Sequence, residues 1–260
     1  MHRFTILTAS LLAVGCAGEG TWVLETWGED YIEQAIPADV FADGCDLVYD
    51  TFLVVDSELA LMDGDGEPAG TIDGALVFDM TQVGPHEIGS AVVPATHYDE
   101  AHWRIAPMAA LAAGNATTAQ VTRMEELGAA VYAEGALTCG GTTVGFAWAF
   151  DTDTTYHCEP EDLTIPAGGE DSTQLTVHGD HLFYDGLENE DAAVRGQAIV
   201  DADADGDGFV TQAELQAVSV ANLGYDVGSH AEVEDLWAHL SFLSRTLGHV
   251  DGEGHCQVDL

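Results

Sequence analysis

Three aspartates stand at alternate positions in a glycine-rich segment near the end of the chain, at Asp203, Asp205 and Asp207. Gly208 follows directly, and Glu214 closes the segment. Alternate aspartates on a tightly turning loop aim their carboxylates inward, and glycine permits the sharp turn. Because Ca²⁺ is a hard cation that takes six to eight oxygen ligands, this spacing predicts a calcium site.

The segment 203–214 resembles the EF-hand calcium loop, whose pattern is D-x-D-x-D-G-x₅-E. The resemblance implies a carbonyl ligand from Phe209, a direct or water-mediated ligand from Thr211 and a bidentate carboxylate from Glu214. It also implies that Val210 points into a helical core. The predicted calcium ligands are therefore Asp203, Asp205, Asp207, Phe209, Thr211 and Glu214.

No second loop of this pattern follows. The stretch 251–255 lacks the glycine at the sixth position of the pattern and the closing acid, and the stretch 226–235 does not match the pattern either. EF-hands usually work in pairs, so this loop is either alone or backed by a degenerate partner. Both cases argue against an opening switch and favour a structural site. Calcium sites of the extracellular type have dissociation constants on the order of 10⁻⁴–10⁻³ M.

Eleven histidines in 260 residues raise the alternative of a transition-metal site. His178 and His181 lie in the segment LTVHGDHLF, and His249 and His255 flank the sequence VDGEG. A disulfide near the tail would bring the two pairs together. Imidazole combined with carboxylate suits Zn²⁺ or Cu²⁺, so these four histidines are candidate ligands of a second metal.

Strand geometry stands against this second site. Residues three apart on a regular strand face opposite sides, so His178 and His181 converge only if Gly179 makes a bulge. His97 and His102 are five residues apart and also diverge on a strand. Surface or hydrogen-bonded roles are the alternative for these side chains.

The elements around these residues follow from hydrophobic periodicity. In the segment 144–150 (VGFAWAF), bulky residues alternate with small ones, which predicts a strand with an aromatic face. Further short apolar runs bounded by turn sequences occur at 47–55, 75–80, 101–105, 131–137 and 175–183. Together they predict an antiparallel β-sandwich, with a helical insertion near residues 115–128.

Beyond about residue 187 the hydrophobic period moves toward 3.6 residues. A leucine-rich stripe runs through 233–247, and Ser229 with Glu232 has the spacing of a capping box before it. Helices are also expected on both sides of the calcium loop, at about 190–202 and 211–223.

The fold class predicted from these patterns is α+β. An antiparallel β-sandwich domain at 17–186 is followed by a small helical subdomain at 187–260, which contains the EF-hand loop. The two parts are expected to pack together, because the sequence contains no flexible linker between them.

Residues 1–16 have the composition of a signal peptide. Arg3 supplies a positive charge, an apolar run too short to span a bilayer follows, and Cys16 ends the segment. This resembles a bacterial lipoprotein signal, in which Cys16 is lipidated and becomes the mature N-terminus. The alternative is an ordinary secretory signal that is cut nearby. With Ala17 next in the chain, the resemblance implies an outer-membrane lipoprotein of the cell envelope, facing the periplasm or the exterior and held to the membrane by its lipid anchor.

Export also sets the expectation for the four cysteines that remain. An even number in an oxidising compartment predicts two disulfide bonds, with three connectivities to choose from. Pairing Cys158 with Cys256 would tie the C-terminal tail to the body of the protein, and we favour that connectivity slightly. Cys45 and Cys139 then form the other bond.

The composition is strongly acidic, with 46 Asp and Glu against 5 Lys and Arg and a net charge of −41. Such a charge repels phosphate backbones, so nucleic acid is a poor partner. It favours solubility in salty or calcium-rich surroundings. The sequence does not point to a protein or small-molecule partner for the sandwich.

Two resemblances concern the chain as a whole. The stretch 178–184 (HGDHLFY), the calcium loop and the stretch 246–256 (TLGHVDGEGHC) resemble acidic lipoproteins of the myxobacteria type, which implies kinship and no activity. The exported β domain with four cysteines, Trp and His is similar to the methanobactin-associated family of copper-binding periplasmic proteins. No ligand residue carries over from that family.

Three functional hypotheses follow. The first is a non-enzymatic exported lipoprotein, in which Ca²⁺ is structural in a helical appendage of the β-sandwich. The alternative is a periplasmic or surface protein that binds copper or zinc through its clustered histidines. A hydrolase acting on an exported polymer has the least support, because the chain contains no G-x-S-x-G, H-E-x-x-H or phosphate-loop pattern.

Overall fold

The computed structural model describes residues 18–189, 191–252, 254 and 256–259. The strands are β1 (Glu19–Trp27), β2 (Asp46–Met62), β3 (Pro68–Asp79), β4 (His86–Pro94), β5 (Glu100–Ile105), β6 (Ala112–Ala113), β7 (Val131–Cys139), β8 (Thr142–Phe150), β9 (Thr154–Cys158), β10 (Glu170–Val177), β11 (Phe209–Val210), β12 (Gly248–Val250) and β13 (Cys256–Asp259). The helices are α1 (Glu29–Glu33), α2 (Thr118–Leu127), α3 (Gln197–Val200), α4 (Gln212–Gln216), α5 (Val220–Leu223), α6 (Leu236–Leu243) and a 3-10 helix (Gly179–Phe183).

Two sheets form a sandwich-like arrangement, which confirms the α+β class. The smaller sheet has the order β12-β10-β1-β4, and the larger has the order β11-β8-β7-β2-β5-β9-β13. In the larger sheet β3 also pairs with β2, and β6 pairs with β3. Pairing is not antiparallel throughout, because β1 and β10, β3 and β6, and β8 and β11 run parallel.

The core lies between the two sheets. Trp22 of β1 and Phe52 of β2 are fully buried. The aromatic face predicted for β8 is confirmed, since Phe146 and Trp148 are buried and their rings stack with centroids 4.2 Å apart. Alternating burial along each strand thus follows from the alternation of bulky and small residues in the sequence.

Helix α2 lies in the stretch where a helical insertion was predicted. The Thr117 side chain caps the first turn by accepting from the Gln120 backbone amide, and the Gln120 side-chain oxygen accepts from the Thr117 backbone amide. Gly128 ends the helix in the left-handed conformation, at φ 60°. Both ends therefore carry the local signals that stop and start helices.

The chain beyond residue 187 supplies strands as well as helices. β12 extends the smaller sheet beside β10, and β13 extends the larger sheet beside β9. Leu215 of α4 and Leu240 of α6 belong to the same buried cluster as Trp22. The helical period did not predict the two strands, because each is only three or four residues long. The division of the chain at residue 187 stays a prediction.

The helices expected beside the predicted calcium loop are shorter than predicted. Residues 193–195 pair in extended form with residues 183–185, so α3 begins only after Gly196. On the far side, a bridge between Ser219 and Asp235 separates α4 from α5. In both places tertiary pairing of the backbone overrides helix propensity.

The capping box predicted at Ser229 is wrong. The Ser229 hydroxyl donates to Glu188, and α6 begins later, at Leu236. Asp235 caps that helix, because its carboxylate accepts from the Ala238 amide. An aspartate at this position satisfies the same free amides that the serine was expected to satisfy.

Two disulfide bonds join Cys45 to Cys139 and Cys158 to Cys256, the connectivity favoured above. Bonds of this kind are typical of exported proteins. Cys16 and the signal segment lie outside the described residues. Within the described residues, none of the helices has the length and apolar character needed to cross a membrane.

Candidate metal centres

The chain leaves the smaller sheet between two of the candidate histidines. β10 ends at Val177, His178 follows, and His181 lies in the 3-10 helix. The strand predicted for 175–183 is therefore wrong beyond Val177. Because His178 and His181 do not share a strand, the rule that places residues three apart on opposite faces does not apply to them.

Gly179 lets this turn pack against the core. A Cβ atom at this position would stand 2.6 Å from Ile32 Cγ1 and 2.8 Å from Tyr49 Cε2, closer than side chains allow. The Tyr49 hydroxyl donates to the Gly179 carbonyl over 2.7 Å. The close approach and the hydrogen bond together fix the turn between the two histidines.

Sheet pairing brings a third histidine to the same place. β12 pairs antiparallel with β10, and His249 stands opposite Thr176. The ring centroid of His249 lies 4.4 Å from that of His178 and 5.0 Å from that of His181. One nitrogen of each imidazole lies within 4.8 Å of the others. Three of the four predicted ligands thus converge, and His255 lies outside the described residues.

Backbone carbonyls orient two of these imidazoles. The Nδ1 atom of His181 lies 2.6 Å from the Thr246 carbonyl, and the Nε2 atom of His178 lies 3.3 Å from the Gly252 carbonyl. A carbonyl oxygen only accepts, so the nitrogen facing it carries the proton. The lone pair of His181 is therefore on Nε2 and that of His178 is on Nδ1, the arrangement that second-shell acceptors impose on metal-binding histidines.

The electrostatics of the pocket favour a neutral imidazole at His181. Burial, with a smaller contribution from neighbouring His178, lowers the pKa of His181 to about 4. The Glu29 carboxylate stands 3.6 Å from His178 Nε2, and burial raises the pKa of Asp180. Imidazole nitrogens with acidic groups beside them form a suitable environment for a cation.

The acidic loop lies between α3 and α4. Carboxylate oxygens of Asp203, Asp205 and Glu214 lie within 4.8 Å of one another. The Asp207 carboxylate accepts from the Phe209 amide and is not part of that group within the described residues. The structure therefore brings together three of the predicted calcium ligands.

Backbone amides hold these carboxylates in place. Both oxygens of Asp203 accept bonds, from the amides of Gly206 and Gly208, at 2.9 and 3.0 Å. Glu214 accepts from Thr211 and from Ala204, and these bonds lower the pKa of its carboxyl group. The Thr211 side chain also caps α4. The loop is thus closed by its own hydrogen bonds.

The loop is attached to the larger sheet, not to a second loop. Phe209 and Val210 pair in parallel with Gly145 and Phe146 of β8. Val210 is fully buried, although it pairs with a strand of the sheet where the loop resemblance implied a helical core, and its carbonyl accepts from the Trp148 indole over 3.1 Å. The edge of β8 therefore supports the apolar position that a partner loop supports in paired EF-hands.

A third group of candidate ligands was missed by the sequence reasoning. Glu100, His102 and His157 place one ligand atom each within 4.8 Å of one another. His97, which was expected to diverge from His102 on a strand, contacts Thr164. The sequence did offer one signal, because Glu100 and His102 are two residues apart and so share one strand face. No local pattern predicted that His157 would join them.

Neither the family models nor the curated proteins contain a match to the chain. Among solved structures, the chain is similar to MbnP from Methylosinus trichosporium, with a TM-score of 0.41 and 11% sequence identity. The match covers 89% of this chain and 97% of that chain. A likeness at this level concerns neither ligands nor metals, so the proposals below depend on the geometry of this chain alone.

Proposed function

We propose that this protein is an exported, non-enzymatic metal-binding protein that holds a copper or zinc ion between His178, His181 and His249. The observation that carries the proposal is the convergence of three imidazoles from separate parts of the fold, with one nitrogen of each within 4.8 Å of the others. Imidazole is a ligand for both metals, and three protein ligands leave a position for water or a further ligand.

Three features support this proposal. The carbonyls of Thr246 and Gly252 fix the tautomers of two imidazoles before any metal arrives. The pocket is partly enclosed, since His178 is buried and the other two histidines are half-buried. The net charge of −41 concentrates cations around the whole molecule.

The proposed cellular setting follows from the cysteines. Disulfides at Cys45–Cys139 and Cys158–Cys256 suit an oxidising compartment. A lipid on Cys16 would anchor the chain to the membrane, with the outer membrane as the proposed location. Mass spectrometry of the mature N-terminus tests the anchor. A Cys16 without lipid, or a mature chain that lacks Cys16, would contradict it.

Metal titration of the untagged full chain tests the histidine site. Millimolar Ca²⁺ is kept present, because it occupies the exposed carboxylates that would otherwise bind copper weakly. His181→Gln is expected to lower copper affinity by at least about 100-fold, since loss of even an outer-shell partner costs about 10–100-fold. His86→Gln is the matched control, because His86 contacts the Gln82 carbonyl outside the cluster. Equal affinity of wild type and His181→Gln would contradict the proposal.

We propose a second, compatible role for the loop 203–214, which is to bind one structural Ca²⁺. The specific observation is that oxygens of Asp203, Asp205 and Glu214 already lie within 4.8 Å of one another. A cation would neutralise their mutual repulsion and stabilise the attachment of the loop to β8. Thr211, Asp207 and the Phe209 carbonyl complete the predicted ligand set.

Thermal melts with Ca²⁺, with Mg²⁺ and with a chelator test the calcium site. At 10 mM Ca²⁺, a dissociation constant of about 10⁻⁴–10⁻³ M stabilises the fold by about 1.4–2.7 kcal/mol. Glu214→Gln should remove most of this gain. Glu126→Gln is the control for lost charge alone, because Glu126 is an exposed residue of α2. A wild-type midpoint that Ca²⁺ does not raise above its value in Mg²⁺ would refute the structural role.

A further inference from the structure

The group Glu100, His102 and His157 lies on the outer face of the larger sheet. β5 and β9 are antiparallel neighbours, and His102 stands directly opposite His157. Glu100 lies two residues before His102 and so projects from the same face. On the inner face, Trp103 and Tyr156 are buried, with ring centroids 4.8 Å apart. Core packing therefore holds the two strands in the register that brings the polar side chains together.

The three donor atoms have the spacing of a metal's ligands. His102 Nε2 lies 2.6 Å from Glu100 Oε1, His157 Nδ1 lies 3.0 Å from His102 Nε2, and His157 Nδ1 lies 3.7 Å from Glu100 Oε1. Atoms at these separations lie on a circle of about 1.9 Å radius, so a point just off their plane is about 2.0 Å from each, the length of zinc–nitrogen and zinc–oxygen bonds.

The group is accessible from solvent. The side chains of His102, His157 and Glu100 are 21%, 33% and 42% exposed. Glu100 and His157 line a cavity of about 550 Å³, together with Asp99, Glu159 and other residues. A metal held here would keep one coordination position facing the cavity, and the two further carboxylates would raise the local concentration of cations.

We infer that Glu100, His102 and His157 form a second transition-metal site, with two imidazole nitrogens, one carboxylate oxygen and an open fourth position. Zn²⁺ suits this donor set, because it accepts nitrogen and oxygen ligands in tetrahedral geometry. In the metal-free chain, hydrogen bonds join His102 to Glu100 and to His157, and the cation takes the place of the protons in these bonds. The site has no residue in common with the histidine cluster of the proposed function, so either stands without the other.

Counting metal equivalents in the full chain tests the inference. Zn²⁺ is titrated in the presence of millimolar Ca²⁺, and Co²⁺ serves as a coloured probe whose visible absorption is strong only in tetrahedral sites. His157→Gln is expected to bind one equivalent fewer than wild type. His181→Gln also loses one equivalent, and the double variant loses two. His97→Gln is the matched control, because His97 is 50% exposed and contacts Thr164 and Asp99 outside the group.

The outcomes separate the two proposals. If His157→Gln binds as many equivalents as wild type and His97→Gln, the site inferred here is overturned, whatever His181→Gln does. If only His181→Gln binds as many Zn²⁺ equivalents as wild type, the proposed function fails and this inference stands. Glu100→Gln covers the case in which His157→Gln fails to fold, because Glu100 is largely exposed. We expect it to melt like wild type and to bind Zn²⁺ at least tenfold more weakly at this site, and unchanged binding would overturn the inference.

Discussion

The histidine cluster and the acidic loop are built in opposite ways. The imidazoles come from the end of β10, from the 3-10 helix and from β12, and two of them are oriented by the carbonyls of Thr246 and Gly252. The loop takes its carboxylates from one contiguous segment, 203–214, and its own amides hold them. One site offers nitrogen in a partly enclosed pocket, and the other offers oxygen at the surface.

The difference concerns what each site needs from the rest of the molecule. A contiguous loop closes with little help from the fold, so damage elsewhere should leave its calcium binding intact. The histidine cluster exists only when β12 pairs with β10 and the turn at Gly179 is packed. Changes to the C-terminal tail should therefore harm copper or zinc binding more than calcium binding.

The two disulfides give the largest test of this contrast. They enclose chain segments of similar length, with sequence separations of 98 and 94 residues. Replacing either disulfide with a serine pair should therefore lower the free energy of unfolding by about 4 kcal/mol. The pair Cys158→Ser and Cys256→Ser releases the segment next to His249 and Gly252 and should weaken copper binding. The pair Cys45→Ser and Cys139→Ser should cost similar stability and leave copper binding unchanged.

Urea unfolding combined with copper and calcium titrations of both serine pairs provides the measurement. Calcium affinity should stay within about twofold of wild type in the variant that lacks Cys158 and Cys256, because the loop is held by its own backbone amides. A loss of about 1.4 kcal/mol in binding free energy would instead lower the affinity tenfold. Equal loss of copper binding in both serine pairs would mean that the histidine site responds to global stability and not to its own segment.

The Asp56 carboxylate lies in the core, in contrast to the carboxylates of the acidic loop at the surface. It is fully buried in β2, and neither of its oxygens has a hydrogen-bond partner among the described residues. Burial raises its pKa to about 7, and the nearby Thr26 hydroxyl, which donates to Met80 Sδ, offsets only part of this. The folded chain thus keeps a proton that the unfolded chain releases near pH 4.

The sign of the pH effect follows from that raised pKa. The contribution of Asp56 to stability is complete below about pH 4 and is lost as pH rises through about 7, at about 1.4 kcal/mol per pH unit. Asp56→Asn should remove this slope and be more stable than wild type at pH 8. Urea unfolding from pH 4 to pH 8 measures it, with the exposed Asp39→Asn as control. A slope in Asp56→Asn equal to that of the control would refute the prediction.

A pair of glycine variants compares the two sites directly. Gly179→Ala inserts a Cβ atom 2.6 Å from Ile32, so it should cost about 1–3 kcal/mol and weaken copper binding. Gly206→Ala has open space around it but a φ of 72°, so it should cost about 1–2 kcal/mol and weaken calcium binding. Titration of both metals into both variants measures the cross effects. The contrast between the two sites fails if each variant weakens the binding of copper and of calcium equally.

Two threonine caps provide the smallest test. Thr211 and Thr117 both cap helices through a capping box, so replacing either with alanine should cost about 1 kcal/mol without metal. Thr211→Ala should also reduce the stabilisation by Ca²⁺, because its hydroxyl donates to Glu214 over 2.8 Å. Thr117→Ala should keep that stabilisation in full. Melts with and without Ca²⁺ separate the two, and equal calcium responses would argue against a role for Thr211 at the site.

Several features were predictable because they are local. The spacing of acids in 203–214 determined the loop, and alternation in 144–150 determined an aromatic strand face. Gly128 and the residues before it marked the end of α2. In each case neighbouring residues encode a geometry that repeats every two or 3.6 residues, or that closes within a single turn.

Only the tertiary structure decided which distant residues meet. His249 reaches His178 because β12 pairs with β10 in one register, and His157 reaches His102 because β9 pairs with β5 in another. Periodicity along the chain carries no information about such registers, since they depend on packing across the core. The sequence by itself thus determined the donor types and the contiguous acidic loop, whereas the fold decided which histidines share a site.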